Sequence, residues 1–361
     1  MKGLRLAGPI LAILLLTGPA GAAHAQRATA KRTGAPIWTL ALDGSRVAYA
    51  SGGRIHVWNM ATGATSVIGG KYGNAKHAVN ASQVAIAGKR VAWIKDQQFG
   101  NTEEDEKLYT APVGGTAHEL EHVHRFGRDD PSQTTGGWID GLVGFGTNLV
   151  VSTWKSNGTT ATDEQLSRIA GSGLRPLAGG VGAIVSQAGD SGHIAVLNSS
   201  PWSTSTGASV YSVNGKLLAQ VPLGTAGKVA LTGNQLIALT PAPTPALEIY
   251  DWTTGTLEHA WPALGAATST AGPHQVGHVA AYGGLVLYSV FSRYVGGNET
   301  LHALDPATGK DVVVGTARGF DSNRDWAVGS RGLVYAVNSS RQGAGKLVFV
   351  PTAKLLAAVG R

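Results

Sequence analysis

The sequence contains no cysteine, only two methionines, and charged residues make up only 14% of the chain. Without a thiol, the protein can form neither a disulfide nor a lipid-modified N-terminal cysteine, so packing and backbone pairing must hold it together. The net charge is +7, yet no basic block is interleaved with aromatic residues. We therefore expect no nucleic-acid partner. Excess positive charge favours acidic surfaces instead, such as an anionic wall polymer.

Long apolar runs are missing as well. The one apolar stretch of note, Ile10 to Leu16, follows the basic residues Lys2 and Arg5 and precedes Ala23-His24-Ala25. This order predicts a signal peptide over residues 1–25 and a secreted or extracytoplasmic protein. The run falls short of the roughly 20 apolar residues that a membrane span needs, and no later stretch approaches that length. Residues 26–36 show no periodicity, and we expect them to be a flexible leader.

One short strand-like segment returns along the rest of the chain. Its copies are RVAYA from Arg46, RVAWI from Arg90, NLVVS from Asn148, HIAVL from His193, QLIAL from Gln235, GLVLY from Gly284 and GLVYA from Gly332. Their mean spacing is about 48 residues, within the range of four-stranded propeller blades. A Gly-containing turn precedes most copies, and a third strand with another tight turn follows each one.

The repeating unit is therefore strand A, turn, strand B, loop, strand C, turn and strand D. Alternation of period two and the lack of a long helical stripe predict antiparallel sheet throughout. The clearer fourth strands are predicted at 66–68, 118–123, 217–221 and 355–359. We predict an all-β fold, a seven-bladed β-propeller of four-stranded antiparallel blades. It is expected to form one domain over residues 37–361 and to be a monomer.

Three segments that span strands C and D carry a family resemblance: IHVWNMATGATSVI, EIYDWTTGTLEHAW and LHALDPATGKDVVV. They resemble the repeats of quinoprotein-type and YncE-like propellers, and ALDGSRVAYA resembles the repeats of TolB-type propellers. The resemblance implies a propeller of WD40-like architecture over residues 37–359. Quinoprotein alcohol dehydrogenases carry a vicinal cysteine pair near their cofactor, and this chain has no cysteine. No catalytic residue is carried over, and no cofactor is predicted.

Loop length predicts which face of the disc is functional. A–B and C–D turns lie on one face and are short, whereas B–C loops and D–A crossovers lie on the other. The long segments are the B–C loops 96–107, 155–165, 202–208, 293–299 and 338–346 and the crossovers 71–80, 124–138, 264–275 and 315–325. Binding residues usually lie on such loops. Neutral variation of loop length is the alternative, but it gives no reason for the one-sidedness.

Two of these crossovers mix arginine, aromatic and acidic residues, which are common anchors of interfaces. The candidate ligand-binding residues are Arg125, Arg128, Asp129, Asp130, Trp138, Arg318, Asp321, Arg324, Asp325 and Trp326. The same Asp–Arg pairs serve equally well to tie neighbouring blades together, and both interpretations stay open. Trp58, Trp93 and Trp252 are expected to pack between blades, whereas Trp138 and Trp326 are candidates to line the channel.

Histidine clusters raise the question of metal binding and catalysis. His118, His122 and His124 would share one face of a strand, and imidazole is a good ligand for zinc. An exposed polar outer strand explains them as well. His274 and His278 enter the sixth blade near the axis, and they are the candidate catalytic pair with a divalent cation.

The acidic run 103–106 is expected to be a solvated loop. No nucleophile elbow or phosphate-binding loop is present in the sequence.

Two functions follow from these observations. The first is an exported binding module whose loop face engages a protein, a peptide or a cell-wall ligand. The second is a metal-dependent hydrolase or lyase with an axial site of histidine and carboxylate. Because no complete catalytic motif is present, the sequence favours the binding module.

Overall fold

The computed structural model describes residues 30–361 except for 71–78, 100–102, 128–133, 159–160, 182, 200–204, 241–245, 263, 265–273, 293–297, 320–324 and 341–342. The described strands pair into four-stranded antiparallel units, in which strand A is innermost and strand D outermost. Short pairings between units also join the second unit to the third and, by one parallel contact, the sixth to the seventh. The predicted propeller fold is confirmed.

The first three units follow each other without interruption. Unit 1 comprises β2 (Ile37–Asp43), β3 (Arg46–Ser51), β4 (Arg54–Asn59) and β5 (Thr65–Ile68). Unit 2 comprises β6 (Val79–Ala87), β7 (Arg90–Phe99), β8 (Glu103–Pro112) and β9 (His118–Phe126). Unit 3 comprises β10 (Thr135–Phe145), β11 (Asn148–Asn157), β12 (Ala161–Ala170) and β13 (Gly173–Gly179).

The remaining units continue the same order. Unit 4 comprises β14 (Ala183–Gly189), β15 (His193–Ser199), β16 (Ser205–Ser212) and β17 (Leu217–Ala226). Unit 5 comprises β18 (Lys228–Thr232), β19 (Gln235–Leu239), β20 (Leu247–Asp251) and β21 (Thr256–Trp261). Unit 6 comprises β22 (His274–Tyr282), β23 (Leu285–Ser292), β24 (Asn298–Asp305) and β25 (Lys310–Arg318). Unit 7 comprises β26 (Trp326–Gly329), β27 (Gly332–Asn338), β28 (Gly345–Pro351) and β1 (Ala30–Thr33).

The buried core lies in the seams between units. Each cluster of buried apolar residues combines side chains from two successive units, and one cluster joins unit 7 back to unit 1. Trp58, Trp93 and Trp252 lie in three of these clusters, as the sequence predicted. The faces that a lone sheet would expose are thus covered by the neighbouring sheet.

The seventh unit takes its outermost strand from the other end of the chain. Strand β1 pairs antiparallel with β28, from Ala30 opposite Val348 to Thr33 opposite Gly345. The prediction that all of residues 26–36 form a flexible leader is therefore wrong for Ala30–Thr33. Sequence periodicity missed this strand because four residues are too few to show an alternation.

The end of the chain is a helix where a fourth strand was expected over 355–359. Helix α1 (Thr352–Val359) buries Leu355 and Val359 against the seam between units 6 and 7. This prediction is wrong because β1 already occupies the edge of β28. Leu355 and Val359 are spaced by four residues, so a helix brings both to one face. No described helix is long and apolar enough to cross a membrane.

Two of the expected long loops are largely strand. The segment 96–107 continues β7 to Phe99 and begins β8 at Glu103, and the segment 155–165 extends β11 and β12 in the same way. The strands β7, β8, β11 and β12 have ten residues each, against seven to ten in unit 4, eight or nine in unit 6 and five in β18, β19 and β20. Because the A–B turns are tight, the extra length projects on the opposite face. Units 2 and 3 therefore form a ridge, made of β7–β8, β9 and β11–β12, on the loop face.

Candidate binding face and axial channel

The innermost strands surround a channel of about 490 Å3. Strands β2, β6, β10, β14, β18, β22 and β26 all contribute to its lining. Its volume is in the range of pockets that hold small ligands.

Most of these inner strands carry a bulge at the channel. Pairing with strand B shifts register between Ile37 and Thr39, Ala81 and Gln83, Asp140 and Val143, Ile184 and Ser186, and Val276 and Val279. A bulge leaves a residue out of the ladder and redirects its side chain, and bulges are frequent beside functional sites. His278 lies in one of these bulges and lines the channel, as the sequence predicted.

Polar channel residues occur at a similar level of several strands. Gln83, Lys228 and His278 each lie four residues before the end of their strand. Trp326, near the start of β26, lines the same channel and packs against His278 with ring centroids 4.9 Å apart. The prediction that Trp326 lines the channel is therefore confirmed. The side chain of His274 lies outside the described part of the chain.

Trp138 was a candidate to line the channel, but it is not among the residues that line it. Its ring stacks on Trp154 with centroids 4.2 Å apart and an angle of 2°, while the guanidinium of Arg125 lies 5.4 Å from the Trp138 centroid. Trp154 is buried. The two tryptophans and Arg125 thus form a stack at the base of the ridge.

Arg125 is held by two buried carboxylates of β8. Its guanidinium lies 2.6 Å from an oxygen of Glu104 and 2.8 Å from Oε1 of Glu106. The second oxygen of Glu106 accepts a hydrogen bond of 2.8 Å from the backbone N–H of Ile139 in unit 3. Burial disfavours the charged guanidinium, but Glu106 and Glu104 outweigh it and raise the pKa of Arg125. Arg125 thus joins β9 to β8 within unit 2, and its contact with Trp138 and the bond from Ile139 to Glu106 reach unit 3.

A third carboxylate, that of Asp96 in β7, lies beside Glu104 and Glu106. Ligand oxygens of Asp96, Glu104 and Glu106 are within 4.8 Å of one another. Burial and the nearby Glu106 raise the pKa of Asp96, although Ser82 donates a hydrogen bond to it at 3.0 Å. The prediction of a solvated acidic loop at 103–106 is thus wrong. Glu104, Glu106 and Leu108 alternate with period two, and this pattern was the available signal for a strand with one buried face.

The outer strand of unit 2 does not arrange its histidines as predicted. His122 and His124 both reach the carboxylate of Asp105, at 3.4 Å and 2.5 Å. The register with β8 shifts near Leu120, so His118 pairs with Thr110 and belongs to the opposite face of the sheet. The prediction that the three histidines share one face of the strand is therefore wrong, because a bulge shifts the alternation of side chains between the two faces by one residue.

The other candidate residues fall into three groups. Arg128, Asp129, Asp130, Asp321 and Arg324 lie outside the described residues. Arg318 is exposed at the end of β25. Asp325 is 2% exposed and packs beside Gly319, where an added Cβ would overlap its carboxyl group. Asp325 therefore belongs to the interior and not to the exposed face.

Comparisons with known proteins give the fold but no family. No family model matches the chain, and no curated protein matches it. The β-propeller domain of the Trilobed protease from Pyrococcus furiosus is 13% identical with a TM-score of 0.46, over 88% of this chain and 96% of that one. A periplasmic gluconolactonase from Pseudomonas aeruginosa is 13% identical with a TM-score of 0.46, over 85% and 89%. The WD40 domain of SCAP from fission yeast is 11% identical with a TM-score of 0.41, over 87% and 84%. Likeness at these identities shows the propeller fold alone.

Proposed function

We propose that this protein is an exported binding module that engages a protein or peptide through the ridge of its loop face. The observation that carries the proposal is the ridge itself, where strands of about ten residues rise on one side of the disc in units 2 and 3. The stack of Arg125, Trp138 and the buried Trp154 stiffens its base. A rigid projection can present a surface without the entropic cost of ordering a loop.

The surface chemistry of the ridge favours a protein or peptide over an anionic polymer. On the ridge, Asp163 lies beside Lys155, and Asp105 shares one face of β8 with Lys107. The acidic groups would repel a polyanion. Phe126 is 50% exposed at the end of β9 and offers an apolar anchor. Both faces of the Trp138 ring have neighbours, so this tryptophan does not offer a free platform for a sugar ring.

The metal-dependent hydrolase or lyase has weaker support from the described residues. His278 shares the channel lining with Lys228, Trp326 and two glutamines, and none of the described lining residues carries a carboxylate. A hard divalent cation prefers carboxylate and other oxygen ligands, and an ammonium group nearby repels it.

Site-specific photocrosslinking tests the binding proposal. A photoreactive phenylalanine analogue replaces Phe126 in the full chain, and a matched variant carries it at Leu257, which is 47% exposed on the outer strand of unit 5. Both are irradiated with secreted proteins of the source organism and, separately, with purified wall polymer. We expect a discrete protein adduct from position 126 that position 257 does not give, and Phe126→Ala should weaken the affinity of the purified adduct partner by about tenfold.

Three outcomes would contradict the proposal. Equal adducts from both positions would mean that the ridge has no preference. Wall-polymer adducts without protein adducts would mean that the ligand class is wrong. An unchanged affinity in both Phe126→Ala and Lys107→Ala would mean that the ridge does not form the interface.

A further inference from the structure

We propose that the axial channel is a binding site for a small organic acid, with the carboxylate held by Lys228, His278 and Trp326. This site is separate from the ridge. Its chemistry follows from the charge, the hydrogen-bonding groups and the shape of the lining.

The ionisable side chains among the described lining residues are both basic. Lys228 and His278 both line the channel, and the other described lining residues are neutral. The buried carboxyl of Asp325 lies beside Gly319, and Asp325 is not among the residues that line the channel. An ammonium group in a concave site attracts an anion more strongly than it would on an open surface.

Hydrogen-bond donors are available in the same region. Trp326 is 2% exposed, and its indole N–H has no acceptor among the described residues. A buried donor without an acceptor is costly, so a ligand oxygen at this position would relieve a penalty in the free protein. Ser186 lines the channel as well, and its oxygen already accepts the backbone N–H of Val229 at 3.2 Å, which leaves the hydroxyl proton free to donate.

The channel changes character along its axis. Toward the A–B turns most lining residues are apolar, namely Leu42, Ala85, Leu231, Ala281 and Val328, with Gln187 of β14 as a polar exception. The other polar groups lie nearer the loop face, because they come earlier in the inner strands. A ligand with a carboxylate at one end and a short apolar body at the other matches this polarity. The volume of about 490 Å3 exceeds what a bare inorganic anion would fill.

Calorimetry on the full chain with matched probes tests the proposal. Hexanoate, hexan-1-ol and hexylamine share one apolar body and differ in the end group, and inorganic phosphate provides an anion without such a body. We expect saturable binding of hexanoate at least about tenfold tighter than that of the other three probes. Hexanoate should also shift the indole N–H resonance of Trp326, assigned by its loss in Trp326→Phe.

Variants separate the channel from the rest of the surface. Lys228→Gln and His278→Gln should each weaken hexanoate binding, the first by at least tenfold, while Lys346→Gln, on the exposed side of β28, should leave it unchanged. A melting temperature measured for each variant shows whether it is folded. The proposal is overturned if hexylamine or phosphate binds as tightly as hexanoate. It is also overturned if Lys228→Gln and His278→Gln both keep the affinity of the unmodified protein, or if hexanoate does not bind.

Discussion

Individual polar side chains join one unit to the next. Asn338 of unit 7 accepts the N–H of Ile37 and donates to its carbonyl, both at 2.8 Å. Asp43 accepts the backbone N–H of Gly88 at 2.6 Å, and Asp190 accepts that of Gly233 at 3.0 Å. In a chain with so few charges, several of those present lie in the seams, where a satisfied hydrogen bond favours one relative position of two sheets.

Arg125 gives the sharpest prediction at this scale. Arg125→Met would leave Glu104 and Glu106 buried without their counter-ion, so we expect the free energy of unfolding to fall by about 3–5 kcal/mol. The matched control is Lys155→Met, because the Lys155–Asp163 pair has both side chains about two-thirds exposed. That change should leave the free energy of unfolding nearly unchanged, because an exposed ion pair contributes little. Urea unfolding at neutral pH measures both values.

A second substitution separates charge from packing at Arg125. Adding Glu104→Gln to Arg125→Met removes one of the two uncompensated carboxylates, so part of the lost stability should return. If the double variant is less stable than Arg125→Met, the main role of Arg125 is contact with Trp138. If Arg125→Met costs no more than Lys155→Met, the buried ion pairs do not support the ridge.

At the scale of the strand, the bulges in the inner strands depend on special backbone positions. Gly141 has φ of +58° in the bulge of β10, and a Cβ there would lie 2.7 Å from Oε1 of Gln187 and 2.9 Å from the hydroxyl of Ser152. Gly146, in the A–B turn of the same unit, has φ of +56° and nothing within 4 Å of its position for a Cβ. The two glycines therefore share a conformation and differ in crowding.

Alanine substitutions at Gly141 and Gly146 separate the energetic cost of a left-handed backbone from the cost of crowding in the seam between units 3 and 4. Gly146→Ala should lower the free energy of unfolding by about 1–2 kcal/mol, the cost of a left-handed alanine. Gly141→Ala should cost roughly 1–3 kcal/mol more, because the methyl group must displace Gln187 or Ser152. Chemical denaturation of the two variants gives the difference. Equal losses would show that the bulge tolerates a side chain and does not fix the seam.

The same elements show what the sequence could and could not predict. Alternation and Gly-containing turns predicted the strands well, since a tight A–B turn needs a residue such as Gly44 or Gly88 with positive φ. The bulges have no equally clear signal in the sequence, so the prediction that His118 shares a face with His122 and His124 was wrong. The polar composition of 103–106 suggested a loop, whereas a buried arginine on the neighbouring strand makes this segment part of the sheet. The composition of a short segment does not show that a distant residue will neutralise its charges.

At the scale of the whole molecule, the repeat predicted the propeller and the tryptophans in its seams. The channel residues His278 and Trp326 followed from their place in the repeat. The sequence did not predict three other lining residues, Lys228, Gln83 and Ser186. In the sequence alone, a single polar residue in an inner strand looks the same as a polar residue in an exposed strand. Ring closure was also beyond reach, since the partner strands β1 and β28 are more than 300 residues apart in sequence.

That closure gives the last prediction. A chain that begins at Pro36 lacks β1 and loses its backbone pairing with β28, so we expect a loss of roughly 2–4 kcal/mol in the free energy of unfolding. The uncovered edge of β28 should also promote self-association, measured by light scattering after size-exclusion chromatography. The control begins at Ala30, retains β1 and should match the chain that begins at Gln26 in both measurements. Equal stability and a monomeric state for the chains that begin at Ala30 and Pro36 would show that β28 does not need a partner strand, and the ring would then be held by its apolar seams alone.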